Sequence, residues 1–373
     1  MTTRNVLPQP SENSLHEFRS DRPSSELTVA AVIRIAVLTL LAALSSPQPA
    51  AAHHSGSEYD SSQKVEIEGT LVALTWQNPH VHLTVRTRAD PGGQQVTWDI
   101  EANSLSVLRR TNATPEKLHI GDKVRVAGQP SARAPNRIFA TNLLCADGTE
   151  LVLGPLIQRR WTGTVVGSTT TWLDPGTADT ASAGIFRVWS TKLDDPGELW
   201  LEHYPLTVVA QKIAAKWDPV HDTVAHGCEP KGMPTIMEQP YPMEFVKEKE
   251  GILLRMEEYD TVRTIYMADN IKLGSLAPGL LGRSKGHWEG TTLVVTTNGI
   301  NWPHLDPQGT PLSPQASIVE RFAPSADGAR LLYSVVITDP KYLTEPVELK
   351  RSWVARPGES VKPYNCGRPS PRD

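Results

Sequence analysis

The chain is predicted to be mainly β: an N-terminal OB-like five-stranded barrel, then a larger C-terminal antiparallel β-barrel or sandwich with one helix. Three observations predict this. The 373 residues include 31 Pro and 26 Gly, turn-formers that separate short strands, and 10 Trp to fill a β core. Runs of strand length rich in apolar and β-branched residues recur from Val65 onward. Five such runs, with a helical segment between the third and fourth, follow the order of an OB-type Greek-key barrel.

The first element is a leader. Ile35–Leu44 (IAVLTLLAAL) follows Arg34 and runs into Pro47, Pro49 and Ala50–Ala52. Ten residues fall short of the ~20 that a membrane-spanning helix needs, and Ala50 and Ala52 satisfy an A-x-A cleavage rule. Residues 1–52 are therefore expected to be a signal peptide and leader cut near Ala52. The mature protein is expected to be periplasmic or secreted, with no membrane span, and to begin at His53.

The OB-like domain is assigned to 53–150. Its strands are Val65–Trp76, Val81–Arg86, Val96–Glu101, Val124–Ala127 and Ile138–Leu144, with a turn at Pro91–Gly93 and a short helix over Asn103–Arg110. Residues 151–184, rich in Gly, Ser and Thr, read as a linker in which Val152 and Val165-Val166 could still pair as strands. The antiparallel β domain takes 185–373, starting near Ile185–Trp189. Its helix is Pro205–Trp217, where Leu206, Val209 and Ile213 share a face and Pro219 stops it. Its strands are Ile252–Tyr259, Val262–Met267, Thr292–Thr297, Ala316–Phe322, Leu331–Thr338 and Val347–Val354.

Charge narrows the function. Lys and Arg number 37 against 41 Asp and Glu, a net charge of −4. The OB-like segment has ten Lys or Arg against eleven Asp or Glu, a net charge of −1. An oligonucleotide groove wants a positive track, so nucleic acid is disfavoured as a partner. No P-loop, dinucleotide fingerprint, HExxH or Cys-x-x-Cys pattern occurs, which disfavours the common cofactor enzymes. Of the three cysteines, Cys228 and Cys366 share the second domain and neighbour turn residues, so they are paired as a disulfide, as an oxidising compartment favours. Cys145, after Leu143-Leu144, reads as a buried core thiol.

His53-His54-Ser55 with Tyr59-Asp60, and Trp76-Gln77-Asn78-Pro79-His80, resemble a family of exported bacterial proteins of unknown function. Cys228–Pro234, Val262–Ile265, His287–Val295 and Val319–Phe322 extend the resemblance over nearly the whole mature chain. Gly286–Thr291 reads Gly-His-Trp-Glu-Gly-Thr where similar proteins tend to have Gly-Arg-Trp-Glu-Gly-Asp. The resemblance implies export and architecture and brings no established activity.

Histidines form the strongest constellation. His80 and His82 are one residue apart on a strand, which points both rings to one face, as metal ligands from one strand require. His53, with an α-amine freed by cleavage, and His54 could join them. Imidazole suits copper or zinc, and an amino-terminal His with two strand His favours copper. The alternative is a structural role for His80 and His82 at the Asn78-Pro79 turn.

Charged residues within strands form a second set: Arg255, Glu257, Arg263, Glu289, Glu320 and Arg321, with Arg255, Glu257 and Tyr259 on one face by alternation. A polar barrel lumen of this kind could hold a small hydrophobic or amphipathic ligand; outward-facing ion pairs are the alternative. Ser284, His287 and Asp339 supply hydrolase residue types, and Glu257 with Glu320 could be a glycosidase pair. Gly282–Gly286 has the G-x-S-x-G outline but leads into a strand, Trp288–Val295, where a nucleophile elbow needs a helix. The expected function is thus a binding protein with a copper site in its first domain; a ligand carrier is the alternative and a hydrolase the last choice.

Overall fold

The computed structural model describes residues 58–88, 94–161, 163–167, 184–191, 199–218, 220–224, 227–238, 242–268, 272, 274 and 276–367. The leader with its cleavage site, His53, His54, the Pro91–Gly93 turn and Pro219 lie outside these residues. Strands make up 44% of the described residues and helices 9%.

The first barrel is built from β1 (Val65–Thr75), β2 (Val81–Arg88), β3 (Gln95–Ala102), β4 (Lys123–Pro130) and β5 (Arg137–Leu144). β1 pairs antiparallel with β2 and β4, β2 with β3, and β4 with β5. The parallel pairing of β3 with β5 closes the ring. This is the OB strand order, and α1 (Leu105–Arg110) lies between β3 and β4 as expected. α1 starts two residues later than the sequence suggested, where Ser104 as N-cap accepts a hydrogen bond from the Val107 amide, while the Asn103 side chain donates to Leu153 O. Val81, Leu83, Val85, Ile100, Ala102, Ile138 and Ala140 fill the interior. The next two strands, β6 (Glu150–Val152) and β7 (Val165–Val166), extend this sheet beyond β5.

The second barrel closes nine strands in the order β10-β11-β12-β13-β14-β15-β16-β8-β9. They are β8 (Val188–Ser190), β9 (Met243–Lys247), β10 (Gly251–Met256), β11 (Thr261–Tyr266), β12 (Arg283–Glu289), β13 (Thr292–Asn298), β14 (Ser317–Pro324), β15 (Arg330–Thr338) and β16 (Val347–Ala355). All neighbours are antiparallel except β11 and β12. Trp189, Phe245, Phe322, Tyr333 and Trp353 pack its interior. Both barrels lie within one compact unit, Ala51–Asp373.

Four expectations need correction. The strand expected over Ile252–Tyr259 stops at Met256; Glu258–Asp260 form a 3-10 turn with Tyr259 and Asp260 at positive φ (57° and 50°). Arg255 is therefore exposed while Glu257 is 1% exposed, and the two do not share a strand face with Tyr259. The Trp288–Val295 strand is two strands, β12 and β13, hinged at Gly290, whose φ of 61° suits a tight hairpin. The second-domain helix is only α2 (Val208–Ala214), capped by Thr207, and its apolar face is outward: Val209 and Ile213 are exposed and Ala210 is the buried residue. Finally, β9 and β12 complete the barrel although neither was expected as a separate strand.

Inside the second barrel, Arg263 donates from Nε to Ser284 Oγ at 3.0 Å, from Nη1 to Glu320 Oε1 at 3.0 Å and from Nη2 to Thr297 Oγ1 at 2.7 Å. Nη2 also pairs with Glu320 Oε2, and the Tyr333 hydroxyl donates to Glu320 Oε1 at 3.0 Å. A buried ion pair is costly to break because the remaining charge stays out of water. Glu320→Gln is expected to lower the unfolding free energy by about 3–5 kcal/mol, read by denaturant titration. A loss below ~1 kcal/mol would show that Arg263 does not need its charged partner.

Candidate functional site

The outer face of β2, β3 and β5 carries two side-chain rows set by strand register. His82 lies opposite Glu101, which pairs with Phe139; Thr84 lies opposite Asp99, which pairs with Arg137. Cross-strand partners share a face, so these six side chains form one outward surface. His80 precedes β2, and the ring of Phe139 meets His80 edge-on at 6.2 Å and Tyr59 at 5.4 Å between centroids. In OB folds this strand 2–3 face, with the loops joining strands 1–2 and 4–5, is the usual place for a ligand. Here His80 comes from the first of those loops and Arg133 from the second.

The chain's own N-terminal segment lies across this surface. Tyr59 bridges to Ser131, Ala132 N donates to Glu58 O at 2.7 Å, and Asp60 N donates to Pro130 O at 3.0 Å. Glu58 is fully buried and receives Arg137 Nη1 at 2.9 Å, Arg133 Nη1 at 3.4 Å and Ser131 Oγ at 3.1 Å. Burial pushes its carboxyl up, against the pull of Arg137.

Glu101 is the hub. It is 3% exposed, pairs with His80 Nδ1 through Oε1, accepts the Tyr59 hydroxyl on Oε2 at 2.6 Å, and lies 3.7 Å from Arg137 Nη2. Burial alone raises its carboxyl, but His80, His82 and Tyr59 together outweigh burial and hold it at about 2. An ionised carboxylate only accepts, so the Nδ1 of His80 carries the proton and a metal would coordinate through Nε2. This carboxylate–imidazole arrangement orients metal-ligating histidines generally. Burial lowers His82 below the ordinary range, against Glu101 and Asp99, which favours the neutral ring that binds metal. Among the described residues no group of three His, Cys, Asp or Glu converges as a metal centre. Any third ligand must then come from elsewhere, and His53 and His54 lie outside the described residues.

The six charged residues proposed for ligand binding do not form one site. Arg263 and Glu320 are the internal pair described above. Glu289 and Arg321 are an exposed pair at 2.7 Å, and exposed Arg255 faces Glu244 at 3.6 Å. Glu257 belongs to the contact between the barrels: it accepts Ser106 Oγ at 2.6 Å and Lys362 N at 3.0 Å, and pairs with Arg109 of α1. Nor do the hydrolase residue types assemble. Ser284 is 1% exposed on the inner face of β12 against Arg263, whereas His287 is exposed beside Glu289 at 3.2 Å. Asp339 caps Ser313, accepting from its amide and its hydroxyl at 2.7 Å each. Cys228 and Cys366 are joined in a disulfide with a Cα–Cα distance of 5.7 Å, and Cys145 is a buried free thiol pushed up to about 11 by burial.

Glu58, Tyr59, Asp99, Glu101, Arg133 and Arg137 were not singled out as site residues from the sequence. Their signal was the strand register, which places Glu101 beside His82 although 19 positions separate them.

Residues 41–137 match the model of a family described as "Family of unknown function (DUF6152)". The match spans both histidine pairs, Glu101 and Arg137. No curated protein matches the chain. Among solved structures, a similar chain is the mitochondrial single-stranded DNA binding protein Rim1 of S. cerevisiae, 16% identical, covering 22% of this chain and 90% of that chain with a TM-score of 0.18. Likeness at that level carries no argument, and the OB description rests on the strand order and the β3–β5 closure.

Glu101 is held at about 2, below its ordinary 4.5, so it stabilises the fold above pH 4.5 and that contribution is lost as pH falls toward 2. Glu101→Gln is expected to cost on the order of 3 kcal/mol at neutral pH, with the gap from the parent closing as pH falls through this window. Unfolding of both proteins across pH 2 to 6 measures it, and a gap constant with pH would contradict it.

Proposed function

We propose that this is an exported copper-binding protein whose site lies on the outer face of the first barrel. His80 and His82 are the barrel's ligands. His53, with the α-amine exposed by cleavage after Ala52, completes the set, and His54 is its substitute. The single observation that carries this reading is the Glu101 hub, because a buried carboxylate paired with His80 Nδ1 on the face that also carries His82 is the arrangement that orients metal-ligating histidines.

Two further features support it. The segment Glu58–Asp60 is anchored on the same face, and His54 and His53 precede Glu58 by four and five positions in the sequence. The charge also suits a cation: Glu58, Asp99 and Glu101 set three carboxylates against the guanidinium groups of Arg133 and Arg137. Copper suits this nitrogen-rich set better than oxygen-seeking cations do, with zinc as the nearest competitor.

Expression with the native leader, intact mass of the purified chain and copper titration against a competing chelator test the reading together. A chain starting at His53 is expected to take one equivalent of copper, and His80→Ala with His82→Ala to abolish stoichiometric uptake. A correctly processed, folded protein that takes up neither copper nor zinc overturns the proposal.

A further inference from the structure

The C-terminal segment 359–367 follows the last strand of the second barrel and is bonded to both barrels. On the first barrel, Glu359 Oε2 lies 3.4 Å from Arg110 Nη2 of α1, the Tyr364 carbonyl accepts Asn78 Nδ2, Cys366 bridges to Asn78, and Gly367 N donates to Asn78 O at 2.8 Å. Asn78 is fully buried and passes the contact on, because its Oδ1 accepts Leu105 N at the start of α1 at 2.8 Å. Gly367 lies so close to the Gln77 side chain that a Cβ would not fit. On the second barrel, Lys362 N donates to Glu257 Oε2 at 3.0 Å and Tyr364 N to Asp260 Oδ1 at 2.9 Å, and the rings of Tyr364 and Tyr259 meet with 5.0 Å between centroids. Tyr259 and Asp260 hold positive φ without being glycine, a conformation that persists only where contacts impose it, and the segment supplies two of those contacts.

Its own contacts hold this strap weakly. Within 359–367 only Tyr364 is buried, while Lys362, Pro363 and Asn365 are exposed. Ordering a residue costs at least as much as one net hydrogen bond returns, so the few bonds above do not by themselves order the whole segment. The remaining constraint is covalent. The bond from Cys366 to Cys228 closes a loop of sequence separation 138, and a cross-link over so long a loop strongly restricts the released chain. Both cysteines are half-buried at the end of the strap, where an incoming thiolate can reach them. Cys145 is buried elsewhere in the first barrel and is not placed to exchange with them.

We propose that the Cys228–Cys366 bond is a redox latch, and that a dithiol reductant which opens it frees the C-terminal strap and loosens the contact between the barrels. One thiolate of the dithiol attacks a cystine sulfur and expels the other cysteine as a thiolate, leaving a mixed disulfide. The second thiol of the reductant then displaces the bound cysteine. The reductant leaves as a disulfide, and its two electrons and two protons end on Cys228 and Cys366 as thiols. The barrels stay closed, because their strand ladders end at Ala355 and do not include the strap. The inference is independent of the copper reading, since no histidine or metal takes part in it.

Amide hydrogen exchange of the full chain with and without excess dithiothreitol tests it, with alkylation and intact mass counting the thiols. Reduction is expected to add two alkylatable thiols and to speed exchange at the Lys362, Tyr364 and Gly367 amides about tenfold or more. The Leu105 amide, whose acceptor is Asn78, is expected to follow in the same sense, while β1–β5 and β10–β16 keep their protection. Cys228→Ser with Cys366→Ser is expected to give the reduced pattern without reductant. The reductant acts on a chain that is already folded, so its result stands even where the double variant does not fold. Unchanged exchange at the strap amides once the bond is open overturns the inference. So does a bond that excess dithiothreitol cannot open in the folded protein, and so does a loss of protection spread through both barrels, which would make the bond a general staple.

Discussion

Burying a carboxylate without partners is prohibitively costly, and six glutamates among the described residues are nearly or fully buried: Glu58, Glu101, Glu150, Glu257, Glu258 and Glu320. The structure is organised around what each of them recruits. Glu320 draws Arg263 and Tyr333 into the second barrel. Glu257 draws Ser106 and Arg109 of α1 and the amide of Lys362 to one point, which fixes the first barrel, the second barrel and the C-terminal segment together. Glu58 fastens the N-terminal segment to Arg133 and Arg137. Glu101 then orients His80 on the surface that this segment crosses. Removing Glu320 would leave Arg263 buried without its charged partner, which is why that pair constrains the fold more than its net energy suggests.

The sites of the two barrels differ in kind. In the second, every group around Arg263 points at another protein group, and the family-like strings of that domain have structural explanations. Val262–Ile265 and Val319–Phe322 carry the two halves of the ion pair. Gly286 is required because a Cβ there would approach Met267 Sδ to 2.7 Å, and Gly232 because a Cβ would meet Trp302 Cβ at 2.4 Å. In the first barrel, polar groups converge on an outer face whose usual occupant in this fold is a ligand. That face is crossed by Glu58–Asp60, fastened there by the ion pairs of Glu58 with Arg133 and Arg137.

The strands were legible where the barrel wall is apolar inside. β1 to β5 and β13 to β16 alternate visibly because alternate residues enter a hydrophobic interior. β12 was missed because its inward residues are Ser284 and Gly286, one bonded to Arg263 and one kept small for Met267. An interior position that is polar or empty carries no periodic signal. α2 misled in the opposite sense: Val209 and Ile213 have helical spacing, but the helix is seven residues long and turns them outward. Of the candidate site, His80 and His82 were legible from their spacing alone. Glu101 became a partner only through the register of β2 on β3, which local sequence does not encode.

A purely structural reading of His80 has to account for the cost of the arrangement around it. A histidine that merely caps a turn needs one backbone acceptor, yet His80 is paired with a carboxylate that is itself buried and shared with Tyr59. His82, on the same face, is lowered by burial although two carboxylates favour its charged form. Each feature alone is tolerable in a core, but desolvated acids cluster where chemistry or binding requires them. Their convergence from a loop, two strands and the crossing segment onto one surface is the feature that the proposed site would explain.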